Sequence, residues 1–151
     1  MSQAAADQLN AVLARVPYAR FLGIHANLAG DEMTAILPYS PHLIGNIHLP
    51  ALHGGVLGAF MEMTALAQLS IVKYPTGQGL ARQPRPIDVT VEYLRSGRPV
   101  DTYARAQIKR LGRRVANVHV EAWQEARDRP IAALHGHFHV TPTDNGGSTE
   151  G

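Results

Sequence analysis

The sequence predicts an α+β domain in which one antiparallel β-sheet wraps around one long central α-helix. Three observations predict it. Residues 53 to about 73 read as a single long helix, apolar nearly all round. Four segments after residue 86 alternate apolar and polar residues with period two, and short turn signals separate them. Two further extended segments precede the helix. A curled antiparallel sheet buries one face of each strand and such a helix together. Its two edges need cover, which pairing with a second subunit would supply.

The elements follow in order. The 151 residues suit one domain, and a 45% hydrophobic content is enough for a core. Residues 1–19 are expected to form an N-terminal helix, with Leu9, Val12, Leu13 and Val16 at helical spacing and Pro17 as its end. Residues 20–141 are expected to form the sheet-and-helix domain. Its first strands are Leu22 to Leu28 and Met33 to Leu37, with Gly30-Asp31 as the turn. Residues 38–50, with three prolines and a glycine, read as a loop. Tyr74-Pro75-Thr76-Gly77 breaks the central helix. Ile87, Val89, Val91 and Tyr93 then share one strand face. Ser96–Pro99, Gly112 and Arg127-Asp128 mark turns between it and three further strands, through Thr102–Ile108, Ala116–Ala122 and Ala132–Val140. Residues 142–151 read as a disordered tail.

Composition excludes several chemistries. The chain has no cysteine, so disulfides, thiolate metal ligands and cysteine nucleophiles are out. This suits a reducing compartment, and a cytoplasmic location is expected. The first residues carry no basic segment followed by an apolar run, so no signal peptide is expected. The apolar stretch Val56 to Val72 includes Glu62 and Gln68, and reads as a buried helix rather than a membrane span. A net charge of +2 is too weak to argue for nucleic acid. GxSxG, P-loop and Gly-rich dinucleotide motifs do not occur, so serine hydrolases, P-loop enzymes and dehydrogenases have no local support. No cofactor is expected.

The informative segment is His53-Gly54-Gly55 at the start of the long helix. The first turn of a helix leaves backbone N–H groups without internal partners at the positive end of its dipole. Glycines let a ligand approach that backbone, and a carbonyl oxygen gaining negative charge would be stabilised there. Glu62 is the second element. Its same-face neighbours are Gly58, Ala59, Ala65 and Leu66, none of them a cation. An unpaired carboxylate there is costly unless it is used, and desolvation raises its pKa toward that of a general base. Glu62 lies eight residues past Gly54, about 12 Å along the helix. Two antiparallel copies across a dimer axis would bring Gly54 of one beside Glu62 of the other. The structural alternative is a Gly-Gly turn and a Glu62 paired with an arginine from a strand.

His53-Gly54-Gly55 with Glu62 nine residues after the histidine resembles the hotdog-fold acyl-CoA thioesterases, especially the phenylacetyl-CoA thioesterase and thioesterase superfamily member 2 type. The runs Ile87–Arg95 and Arg110–Arg114 are also similar to strands of that family. The resemblance covers residues 20 to 141. It implies a hotdog fold and hydrolysis of an acyl-CoA to free acid and CoA. It implies that Gly54 N–H polarises the thioester carbonyl, that Glu62 of the partner subunit is base or nucleophile, and that His53 holds the site. The family often has an asparagine six residues before the histidine, where this chain has Ile47. Asn46 is the nearest substitute. Pro86 stands where some members have a serine.

Substrate contacts are expected from Gly55, Phe60 and Met61. Arg95, Arg110, Arg113 and Arg114 are expected to reach the phosphates of CoA, although a cluster of basic residues is as readily a solvated surface. The expected partners are an acyl-CoA and a second copy, as a homodimer or a dimer of dimers, without nucleic acid or membrane. Two other readings stand beside hydrolysis. One is a non-catalytic acyl-CoA binding protein. The other is a hotdog 3-hydroxyacyl dehydratase using His48 and Glu62, whose spacing resembles that family. His135, His137 and His139, joined by His119, form a row that would suit zinc, but a polar sheet face is the simpler reading and no metal site is expected.

Overall fold

A computed structural model describes residues 3–29, 32–73 and 83–142. The elements in chain order are helices α1 (Gln3–Ala14) and α2 (Pro17–Leu22), strands β1 (His25–Ala29) and β2 (Glu32–Leu37), and a 3-10 turn at Pro41–Leu43. Strands β3 (Ile44–Asn46) and β4 (Ala51–Leu52), helix α3 (Gly54–Lys73), and strands β5 (Arg85–Tyr93), β6 (Thr102–Leu111), β7 (Val115–Trp123) and β8 (Ala132–His139) follow. The Gly30-Asp31 turn, the Tyr74–Gly77 breaker and all of the tail except Pro142 lie outside the described residues.

Six strands form one antiparallel sheet in the order β1-β2-β6-β7-β8-β5. Helix α3 separates β2 from β5 in sequence, and the chain returns from it to the far edge of the sheet. By length and composition alone α3 is long and apolar enough to cross a membrane. Here Leu57, Phe60, Met61 and Leu69 pack it into the core instead. The facing sheet surface is lined by small residues, Ala104, Ala116, Ala122 and Ala132, beside Val118, Val120, Leu134 and Phe138. Alanines at this layer let the helix axis approach the strands closely at interior packing density.

Four expectations need correction. Pro17 does not end the N-terminal helix. The first helix stops at Ala14, and Pro17 opens a second one, where a fixed φ and a missing N–H cost nothing. Gly23, at φ 78°, closes α2 in the left-handed conformation, so the first strand begins at His25 rather than Leu22. Residues 38–50 are not simply a loop, because β3 and β4 pair antiparallel, Ile44 opposite Leu52 and Asn46 opposite Ala51. Finally, α3 is not enclosed all round. Gly58, Ala59, Glu62 and Leu66 form a half-buried stripe. It lies on the side of β5, since a Cβ at Gly58 would sit 3.8 Å from Val91 and the Tyr93 hydroxyl.

Candidate active site at the start of the central helix

The β3–β4 hairpin delivers His53 to the start of α3. His53 N–H donates to Leu43 O at 2.9 Å, and Leu52 N–H donates to Gly97 O at 2.9 Å, so both sides of the entry are tied down. Gly45 lies against His53. A Cβ there would stand 2.7 Å from the His53 Cα, a distance no side chain can accept. His53 serves as the N-cap. Its carbonyl accepts the Val56 and Leu57 N–H groups at 3.0 and 3.3 Å, and its Nδ1 accepts Gly55 N–H at 2.9 Å. That bond requires Nδ1 to be unprotonated, which assigns the proton of the neutral ring to Nε2.

The two glycines therefore differ. Gly55 N–H is already engaged, whereas Gly54 N–H has no hydrogen-bond partner among the described residues. Gly54 carries the free donor at the positive end of the helix. The Tyr93 hydroxyl donates to Gly54 O at 2.8 Å, and its ring lies 3.2 Å from where a Gly54 Cβ would be. Tyr93 thus lies over the glycine and fixes its peptide. A recess of about 330 Å³ opens beside it, bounded by Leu52, Gly54, Leu57, Tyr93 and Arg95. The sequence reading placed Tyr93 only on a strand face. The available signal was a hydroxyl closing an otherwise aliphatic row.

Glu62 lies two turns further on, about 12 Å from Gly54 along the helix. It is half-buried and has no hydrogen bond or ion pair among the described residues. Burial pushes its carboxyl above the usual carboxylate range. Within one chain Gly54 and Glu62 do not meet at one reacting carbonyl.

The other expected residues are dispersed. Asn46 Oδ1 accepts the N–H groups of His48 and Leu49 at 3.0 and 3.2 Å, so it shapes the hairpin turn. His48 stands exposed on that turn. Phe60 and Met61 have no exposed surface and sit in the core. Their direct contact with an acyl group would require the core to open. The basic residues separate as well. Arg95 follows Tyr93, which is opposite Ala132 and hence at the Thr102–Trp123 end of the sheet. Arg110, Arg113 and Arg114 lie at the other end, where Leu111 faces Ala116 and Arg85 faces His139. One chain does not gather them into one anion site.

The histidine row points away from α3. His137 Nδ1 is 2.8 Å from Asp88 and its Nε2 is 3.3 Å from the Asn117 amide. His135 lies 3.6 Å from Glu92 and meets the His119 ring edge-on, centroids 4.0 Å apart. Burial, then His135 and Lys109, lower the His119 pKa. Among the described residues no three His, Asp or Glu side chains converge as a metal site.

Residues 44–140 match the family model for the acyl-CoA thioesterase N-terminal domain. The chain belongs to that family. Its architecture is the hotdog fold. No curated protein sequence matches it. Solved structures do. A Chromobacterium violaceum protein is 31% identical, with a TM-score of 0.69, over 93% of this chain and 98% of its own. A Haemophilus influenzae thioesterase is 22% identical, with a TM-score of 0.72, over 91% and 90%. A Bacillus halodurans protein with CoA is 18% identical, with a TM-score of 0.70, over 93% of each. The last two share the fold.

Proposed function

We propose that the protein hydrolyses an acyl-CoA thioester at a site shared by two copies of the chain. The observation that carries this reading is the free Gly54 N–H beside an engaged Gly55 N–H. A thioester oxygen bound there would face a fixed donor as it gains charge. Water attacks the carbonyl carbon, the carbon–sulfur bond breaks, and the products are a carboxylic acid and CoA thiol. The partner's Glu62 takes the proton of the attacking water, or attacks the carbonyl itself before water releases the acid. Its raised pKa suits a base.

The open edge supports the second copy. β5 is an edge strand whose Ile87, Val89 and Tyr93 are exposed, and it flanks the half-buried stripe through Glu62. Pairing two β5 strands antiparallel about a two-fold axis would cover both surfaces. The helices would then run antiparallel, Gly54 of one toward the partner's Glu62. The same operation brings the Arg110–Arg114 end of one sheet toward the Gly54 end of the other. Dispersed in one chain, the basic residues become a seat for CoA phosphates in two. The family and the CoA-bound Bacillus halodurans relative support this substrate.

The test is thiol release from a panel of aryl- and fatty acyl-CoAs. Turnover by the wild type and its loss in Glu62→Ala are expected. Equal turnover by both proteins would refute the reading, and tight binding without thiol release would leave a binding protein.

A further inference from the structure

A second cavity lies away from Gly54, where the sheet divides. β2 and β6 pair only at Ala35–Ala104, Ile36–Tyr103 and Leu37–Thr102. Both strands continue past Ala35 and Ala104, to Glu32 and Leu111, but without pairing to each other. Between them opens a cleft of about 600 Å³, within the range of small-molecule sites. It passes through the sheet to the side of α3 that carries Gln68 and Val72.

The inner wall is apolar, with Met33, Val72, Ala106 and Ile108. Gln68 also lines it, half-buried and with no hydrogen-bond partner among the described residues. The mouth is charged and ordered. Arg105 donates to Thr34 Oγ1 at 2.9 Å, and both Arg105 and Arg127 stand 5.7 Å from the centre of the Trp123 ring. Glu32 Oε2 is bonded to Arg105 Nη1 and lies 3.6 Å from Arg127 Nη1. A tethered carboxylate thus occupies a two-guanidinium seat above an indole. Arg105 is largely covered, but Glu32 and Arg127 are exposed, and exposed ion pairs are weak enough to exchange.

We propose that this cleft binds a carboxylic acid with a hydrocarbon tail. Its carboxylate takes the place of Glu32 between Arg105 and Arg127, and its tail lies along Met33, Val72, Ala106 and Ile108. The two guanidinium groups supply the anion recognition, and the apolar wall behind them selects an amphiphile over a simple anion. Glu121 at the rim opposes a second negative charge, which favours a monocarboxylate. Such an acid is also what thioester hydrolysis releases, but the site stands on its own residues and its test needs no turnover.

Trp123 is the chain's one tryptophan, so its fluorescence reports this cleft. Titration of the full-length protein with octanoate should give a saturable change. Octan-1-ol should give none, for want of a charge. Glu32→Gln removes the competing carboxylate and should tighten octanoate binding several-fold, a gain that a merely structural role for Glu32 would not produce. Arg127→Gln should weaken it about tenfold, as loss of a charge-assisted hydrogen bond does. Glu62→Ala should leave the response unchanged. The proposal is overturned by the absence of a saturable response in both wild type and Glu32→Gln, by equal responses to acid and alcohol, or by loss of the response in Glu62→Ala. Because fluorescence and thiol release are read separately, failure of one reading leaves the other standing.

Discussion

At one edge of the sheet, β1 is stitched to α1. The Asn10 side chain donates to Ala26 O at 3.1 Å and accepts Ala26 N–H at 2.8 Å, so the outward backbone groups of that residue are satisfied from within the chain. At the other edge, β5 has no such cover among the described residues, and its Ile87, Val89 and Tyr93 are exposed. Edge strands are ready templates for pairing, and folds normally blunt them. Here one is blunted by a side chain and the other is left bare beside the Glu62 stripe of α3. The bare edge is on the side of the molecule that holds the candidate chemistry, where a second copy is proposed to pair.

Damaging each edge in turn tests that contrast. The largest effect should come from Ile87→Glu with Val89→Glu, which puts like charges across the proposed β5–β5 seam. Light scattering should show a monomer, and thiol release should fall about 10⁴-fold or more, since the base then has no partner to serve. An assembled, active double variant would remove β5 from the argument. Next comes Glu62→Gln, expected to lower turnover by about 10² to 10⁴ with the assembled mass unchanged. Asn10→Ala attacks the sealed edge. It leaves the Ala26 N–H and carbonyl unpaired and should cost about 1–3 kcal/mol in a denaturant titration, with activity per folded molecule and mass both unchanged. Tyr93→Phe keeps the ring over Gly54 but frees its carbonyl, and should lower kcat about threefold with little change in KM.

The smallest effect is on stability. Burial raises the Glu62 pKa in the folded chain, so its ionisation costs stability as pH rises through that raised value. Glu62→Gln should therefore melt slightly above wild type at neutral pH. The gap should close as pH falls to the unfolded carboxylate value near about 4. Glu62→Gln melting below wild type at neutral pH would instead mean that a cation holds Glu62 ionised.

The long helix and the four late strands were legible because their periodicities run over many residues. Ala116, Val118, Val120 and Ala122 alternate inward just as Glu121 and His119 do outward. The β3–β4 hairpin was not legible, because strands of three and two residues carry no periodicity to read. The candidate site was half legible. Gly54 and Glu62 announce themselves by type and spacing. That Gly55 N–H is consumed by His53, leaving Gly54 free, depends on a ring orientation no spacing encodes. The separation of the arginines within one chain was not legible for a related reason. Neighbours in sequence, such as Arg95 and Arg110, are carried to opposite ends of the sheet by a strand reversal.

The contact between Gly45 and His53 has a consequence for anyone mapping this protein by saturation mutagenesis. Position 45 has no side chain to bring to a substrate, yet its only tolerated occupant is hydrogen, because any larger group meets backbone at 2.7 Å. A screen for lost turnover would score it alongside 53 and 54. Read as a genetic map, the active site would then look one residue larger than the chemistry is, and the extra residue would be a hinge pin between hairpin and helix.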